Sequence, residues 1–154
     1  MTYCIRRAIP ADAVRLAEIE IFNYRLYFYP IFQSDDFYFR ELNTADRADT
    51  YIRQPELLER TYVYDDGVVK GFYRICGTKL EKLFVEPVLQ GQGIGGELLD
   101  FACRTAPVTG LWTLEKNVRA IRFYERHGFE KTDRRKPEEG TEEYLVWLEK
   151  SEKR

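Results

Sequence analysis

The residues whose types and spacing point most directly to chemistry are Gln90-Gly91-Gln92-Gly93-Ile94-Gly95-Gly96. They stand between a β-prone run ending at Val85 and the helical spacing of Ile94, Leu98, Leu99, Phe101 and Ala102. The first N–H groups of a helix have no partner within it, and the helix dipole adds partial positive charge there. Glycines let the main chain approach an anion and take positive φ without a Cβ clash. Such a turn is a phosphate cradle. Charge-assisted N–H bonds, at about 1.5–3 kcal/mol each, outweigh the roughly 0.3–1 kcal/mol of the dipole itself. A P-loop would need Gly-Lys-Ser/Thr at its end, and Gly96 is followed by Glu97. Gly91-Gln92-Gly93-Ile94-Gly95-Gly96 satisfies the letters of a dinucleotide fingerprint, but the preceding strand closes in Val85-Glu86-Pro87 instead of running into the glycines. Read alone, the segment also fits a helix entry with no ligand.

Other reactive groups are few. His127 is the only histidine, and Cys4, Cys76 and Cys103 are widely spaced. Neither a His/Cys zinc site nor a Ser-His-Asp triad is supported, and no metal is expected. Asn117 precedes a helical pattern, where its side chain would cap the helix for about 1 kcal/mol. Gly128 fits the left-handed position after that helix, with Phe129 folding back onto Phe123 or Tyr124. His127 is expected exposed at the helix end.

The elements that must hold these residues can be traced. Thr2 to Ala8 reads as a strand, and Pro10 opens a helix through Ala13, Leu16, Ala17 and Ile21. Between Ile21 and Phe39, nine aromatic residues crowd around Pro30, either as core and helix-packing surface or, in part, as pocket wall. One or two helices follow between Asp36 and Arg60, restarting at Pro55. Thr61–Tyr64 and Val68–Cys76 flank Asp65-Asp66-Gly67, a strong hairpin signal. Lys79–Val85 is a third strand of this group, Leu111–Leu114 another, Val118 to Tyr124 a helix, and Glu143–Leu148 a final strand. The sum is an α/β or α+β fold, a mixed sheet with helices on its faces.

With 154 residues and no repeat or linker, the chain reads as one domain over 1–154, burying roughly two-thirds of its unfolded surface. A net charge of −2 points away from nucleic acid. No apolar run approaches the roughly 20 residues that span a bilayer, and the N-terminal residues lack the apolar core of a secretory signal. With three separated cysteines, these features predict a cytoplasmic protein without membrane association.

Leu83-Phe84-Val85-Glu86-Pro87 leading into Gln90-Gly91-Gln92-Gly93-Ile94-Gly95 resembles the acetyl-CoA motif of the GNAT superfamily of N-acetyltransferases. Leu114-Glu115-Lys116-Asn117, followed by Phe123-Tyr124 and Gly128-Phe129, is similar to that family's second motif, at the expected separation. From Leu83 to Phe129 the two span about a third of the chain. The resemblance implies a mostly antiparallel sheet of six or seven strands whose central strands splay apart. It implies acetyl-CoA as donor, with its pyrophosphate on residues 90–96 and its pantetheine arm and thioester carbonyl against the backbone of Phe84, Val85 and Glu86 and the side chain of Asn117. Preorganised backbone donors suit a developing oxyanion. Tyr124 takes the family's general-acid position, and a phenol of reference pKa near 10 can protonate a departing thiolate. Glu81 lies where some members carry an acidic base. Its bland alternative is a solvated strand face with Lys79 and Lys82. Glu86 and Glu115 are further candidates, and any of these carboxylates would need desolvation to act well at neutral pH.

The implied reaction is direct attack of a primary amine on the thioester, with a non-catalytic acyl-CoA sensor on the same fold as the alternative. The family's acceptor side falls on the Tyr24 to Tyr51 region, whose aromatics and acids, including Glu20, Asp35, Asp36 and Glu41, could receive an amine. The acceptor is a small molecule or a peptide, and the aromatic segment or last strand leaves room for a homodimer.

Overall fold

The computed structural model describes residues 3–151. Thr2, where the first expected strand begins, and the rest of the chain ends lie outside the described residues. Strand β1 (Cys4–Arg7) leads through a 3₁₀ turn at Pro10–Asp12 into α1 (Ala13–Asn23). Pro10 sets the first-turn φ, and Asp12 accepts from the Ile9 N–H at 2.9 Å while Arg6 grips its carboxylate at 2.9 and 3.1 Å. α1 runs on through a π-helical turn, Tyr24–Phe28, into α2 (Tyr29–Phe32). After a second π-helical stretch at Phe37–Glu41 come α3 (Thr44–Arg53), capped by Asn43, and α4 (Pro55–Glu59), which Pro55 starts.

The second half is β2 (Thr61–Asp65), β3 (Val69–Cys76), β4 (Lys79–Val85), α5 (Ile94–Thr105), β5 (Gly110–Leu114), α6 (Val118–Arg126), β6 (Phe129–Pro137) and β7 (Tyr144–Lys150). The seven strands form one sheet in the order β1-β2-β3-β4-β5-β7-β6. Every neighbouring pair is antiparallel except β4 and β5. Those two are parallel and joined at one position, Lys79 opposite Gly110, so beyond it they part. The expected mixed, mostly antiparallel sheet with splayed central strands is present. β6 is an addition to the sequence reading, which left residues 130–137 without a strand.

The sheet is a middle layer. On one face Leu98, Leu99 and Ala102 of α5 and Ile121 of α6 pack on Tyr73, Leu80, Val146 and Leu148. On the other, Leu16 and Ile19 of α1 and Tyr51 of α3 pack on Val63 and Phe72. Each such apolar side chain is worth about 1.5–3 kcal/mol on burial. Ile21, Tyr24, Tyr38 and Leu42 form a smaller core against Phe28 and Phe84. The aromatic segment therefore serves mainly as packing, as its bland reading held, and Phe22, Phe37 and Phe39 are left exposed.

Candidate active site

Where β4 and β5 part, the sheet opens a cleft of about 630 Å³. One wall is Leu83, Phe84 and Val85 of β4; the opposite wall is Asn117 with Ala120, Phe123 and Tyr124 of α6. The turn before α5 closes one end, and Asn23, Tyr27 and Phe28 from the end of α1 border the other. The missing β4–β5 ladder leaves strand-end backbone groups available to a ligand. The Val85 carbonyl is not one of them, because Asn23 Nδ2 donates to it at 2.9 Å and Gln90 Nε2 at 3.1 Å.

The glycine turn has the shape that its sequence predicts. Gly91 and Gly93 have φ of 85° and 88°, and Gly93 is the residue before α5. Among the described residues, none accepts a hydrogen bond from the backbone N–H groups of Gly91 to Gly96. A Cβ added at Gly91 or Gly93 would meet nothing within 4 Å, so the main chain there borders open space. Gly95 and Gly96 instead face α6. A Cβ at Gly95 would lie 3.4 Å from the Phe123 ring and one at Gly96 3.0 Å from His127 Nε2, so the first turn of α5 presses against α6. A free anion cradle flanked by the guanidinium-bearing Arg122 and Arg126 and by His127 fits a pyrophosphate.

On α6, Asn117 caps the helix, its Oδ1 accepting from the Ala120 N–H at 3.3 Å. The Tyr124 side chain lies 7% exposed between the rings of Phe123 and Phe129, and Gly128 takes φ 95° behind it, as expected. The Tyr124 hydroxyl has no hydrogen-bond partner among the described residues, and burial pushes its pKa well up. Burial thus favours the neutral phenol. His127 is exposed, with Nδ1 donating to the Phe123 carbonyl at 2.8 Å.

Of the residues singled out in the sequence, Phe84, Val85, Gln90, Gly91, Gly93, Ile94, Gly95, Gly96, Asn117 and Tyr124 converge on this cleft, while Gln92 and Glu81 are not part of its lining. Glu81 is partly exposed and ion-paired with Arg60 at 2.7 Å. The other carboxylates are also engaged: Glu86 with Arg15 at 2.9 Å, and Glu115 with Arg135, whose hydrogen bonds hold its pKa below the ordinary value. Glu20, expected to meet an amine, is instead 1% exposed and accepts from Tyr24 at 2.8 Å and Tyr51 at 2.7 Å. Asp35 accepts from Tyr29, and Asp36 pairs with Arg40.

Sequence reasoning missed Asn23, Arg119, Arg122 and Arg126 as cleft residues, while Tyr27 and Phe28 are two of the aromatics it offered as pocket wall. Arg119, Arg122 and Arg126 recur at helical spacing on the face of α6 that carries Phe123, a signal that was available. Arg119 stacks over the Tyr27 ring at 4.3 Å, and both side chains donate to Gln90 Oε1, bridging the cleft from α6 to the end of α1. Among the described residues, no cluster of three or more His, Cys, Asp or Glu could hold a metal, and no helix is long and apolar enough to cross a membrane.

Comparison with known proteins agrees with this geometry. Residues 58–131 match the family model described as an acetyltransferase (GNAT) domain. Over 72 residues, 47% of this chain and 50% of the relative, the sequence is 36% identical to the peptidyl-lysine N-acetyltransferase YjaB of Salmonella typhimurium. The Escherichia coli protein of the same name is 34% identical over 64 residues, 42% of this chain and 44% of that one. The chain thus matches half or less of the length of these curated relatives. The solution structure of apo YjaB from Escherichia coli superposes with a TM-score of 0.71 at 24% identity, covering 97% of this chain and 98% of that one. The PaiA N-acetyltransferase of Thermoplasma acidophilum, solved with coenzyme A, gives 0.70 at 20% identity over 98% and 99%. The stretch that resembles the GNAT acetyltransferases runs from α4 through the splayed strands and glycine turn into β6.

Proposed function

We propose that this chain, acting as one domain in the cytoplasm, transfers an acetyl group from acetyl-CoA to a primary amine. One observation carries the reading: the glycines of the turn before α5, the parted end of β4 and Tyr124 of α6 line one cleft. The glycine turn, with Arg122, Arg126 and His127, would hold the pyrophosphate, while Asn117 and the backbone of Phe84 and Val85 would align the pantetheine arm. The neutral amine attacks the thioester carbonyl carbon, a C–N bond forms and the C–S bond breaks. The thiolate takes its proton from Tyr124, and the amine's surplus proton leaves to solvent or to a base.

Tyr124 suits its part because burial keeps it protonated and no partner competes for its hydroxyl. Glu81 could serve as base only by leaving Arg60, since it lies outside the cleft lining. The curated relatives' naming as peptidyl-lysine N-acetyltransferases favours a lysine side chain as the acceptor amine.

The test is calorimetric titration with coenzyme A, followed by free-thiol release from acetyl-CoA with lysine-containing peptides. Tight coenzyme A binding with acceptor-dependent thiol release is expected. Failure to bind coenzyme A would sink the reading; binding without acceptor-dependent release would leave a sensor instead of an enzyme.

A further inference from the structure

Immediately behind the cleft, on the α1–α3 face of the sheet, lies a polar cluster that the proposed transfer does not use. Glu20 is its centre, taking hydrogen bonds from the Tyr24 and Tyr51 hydroxyls at 2.8 and 2.7 Å. Each tyrosine is in turn backed by a cation. Lys82 Nζ donates to the Tyr24 oxygen at 2.5 Å, and Arg74 donates to the Tyr51 oxygen and to Thr61 Oγ1, the latter at 2.9 Å. A third cation, Arg47, places Nε 3.9 Å from Glu20.

The charges do not balance. Arg47, Arg74 and Lys82 all act on Glu20, three cations on one carboxylate. Glu81 also acts on Lys82, but it is already paired with Arg60 at 2.7 Å and cancels that charge. Arg47 Nε is buried and has no hydrogen-bond partner, at 3.9 Å too far from Glu20 to bond it well. A buried donor left unmade and a half-buried positive surplus are both costly unless something completes them. The surplus is reachable at Arg47, whose side chain is 32% exposed, while Lys82 is mostly buried with part of its surface exposed. It also borders the transfer site, since the Tyr24 ring lies 5.0 Å from Phe28 and 5.5 Å from Phe84, both of which line the cleft.

Building on the acetyl-transfer reading, we infer that the acceptor amine carries an anionic group, bound by Arg47 and Lys82 beside Glu20. The recognised chemistry is a carboxylate on the acceptor. It can come from the free α-carboxylate of an amino acid or from an acidic side chain next to a lysine in a peptide. Glu20 serves to anchor Tyr24 and Tyr51 and to hold the cations in place, leaving Arg47 and Lys82 as the groups with charge to spare.

Thiol release from acetyl-CoA is measured with two matched acceptor pairs: Nα-acetyl-lysine against its methylamide, and acetyl-Glu-Lys-amide against acetyl-Gln-Lys-amide. In at least one pair the anionic member should have a KM lower by about tenfold or more, the scale of one charge-assisted hydrogen bond. Preference in the first pair identifies an amino-acid acceptor and preference in the second an acidic peptide. Arg47→Gln and Lys82→Met should each narrow the KM ratio within the preferred pair. Arg47 is partly exposed, so its variant carries the test even if Lys82→Met fails to fold. Turnover with no preference in either pair, or a ratio that Arg47→Gln leaves unchanged, overturns the inference while the transferase reading stands. Coenzyme A binding with no thiol release from any of the four acceptors removes the transferase reading, and this inference with it.

Discussion

Gln90 Nε2 donates to Asn23 Oδ1 at 3.1 Å, tying the first residue of the glycine motif to the last residue of α1 across the mouth of the cleft. Both side chains also donate to the Val85 carbonyl, and Asn23 donates to the Ile19 carbonyl at 2.8 Å. The end of β4, which has lost its β5 partner, is therefore held by two side-chain amides instead of a ladder. Asn23 is buried, so Asn23→Ala removes several bonds at once. It should cost about 1–3 kcal/mol in urea unfolding, the range for leaving buried polar groups unmade. It should also weaken coenzyme A binding, because Val85 and Gln90 lose their common anchor. Unchanged affinity in a folded Asn23→Ala protein would mean that the anchor does not shape the cleft.

Tyr124→Phe separates chemistry from structure. The hydroxyl has no partner among the described residues, so its loss should barely change stability or coenzyme A affinity. The rate of acetyl transfer should fall by about 10²-fold or more if the phenol supplies the leaving-group proton. The pH dependence has a definite sign. Burial raises the folded-state pKa of Tyr124, and burial likewise raises those of Tyr24 and Tyr51. Their contribution to stability is complete below the unfolded value near 10 and is lost as pH rises above it. The wild-type rate should thus show no alkaline decline from Tyr124 below about pH 10. A descending limb with a midpoint near 8 that disappears in Tyr124→Phe would contradict this.

The β4 run, the glycine turn and the Asn117 cap could be read in the sequence because each follows a local rule (alternation, positive φ, capping), whereas the splay of the central strands and the place of Tyr124 came from the family resemblance. What escaped depends on tertiary context. β6 carries Glu130-Lys131-Thr132-Asp133-Arg134-Arg135-Lys136, with no apolar alternation, because it is an edge strand whose ladder to β7 needs little burial beyond Phe129. Glu20 lies on the same helical stripe as Ala13, Leu16 and Ala17, so its position indicates an inward side chain but not what would receive its charge. It becomes an interior charge only because Tyr51, thirty-one positions away, and Arg74 and Lys82 on the sheet converge on it. Arg60 likewise takes Glu81 from the role its strand position implies.

Glu20→Gln tests that interior charge. Burial alone would raise the Glu20 pKa, but Lys82, Arg47, Tyr51 and Arg74 together bring it below the ordinary carboxylate value. Its stabilising effect is therefore present above the unfolded pKa near 4.3 and is lost as pH falls through the lower folded value. Neutralising it strands three cations around an amide, a change expected to cost about 3–5 kcal/mol at pH 7. Chemical unfolding at pH 7 and at pH 3 should show the gap between wild type and Glu20→Gln closing in acid. A gap that is constant with pH would assign the loss to packing instead of charge.

Two glycines of the turn should fail for different reasons when replaced by alanine. Gly93 has φ 88° and open space around its missing Cβ, so Gly93→Ala meets backbone strain alone, about 1–2 kcal/mol. Relief would come by rotating the peptide groups of the turn, which misaims the N–H groups and weakens coenzyme A binding. Gly96 lies in α5 with no positive φ, and its added Cβ meets only His127 Nε2 at 3.0 Å. That contact is the end of an exposed side chain, so Gly96→Ala should displace His127 and leave the turn intact. Relative to His127→Ala alone, which loses its own phosphate contact, adding Gly96→Ala should then cost little further affinity, whereas adding Gly93→Ala should cost as much as it does in the wild type. Calorimetric titration of coenzyme A into the wild type and the three single and two double variants measures the coupling directly. An equal reduction in the cost of both glycine substitutions would show that the turn and the α5–α6 contact do not act independently.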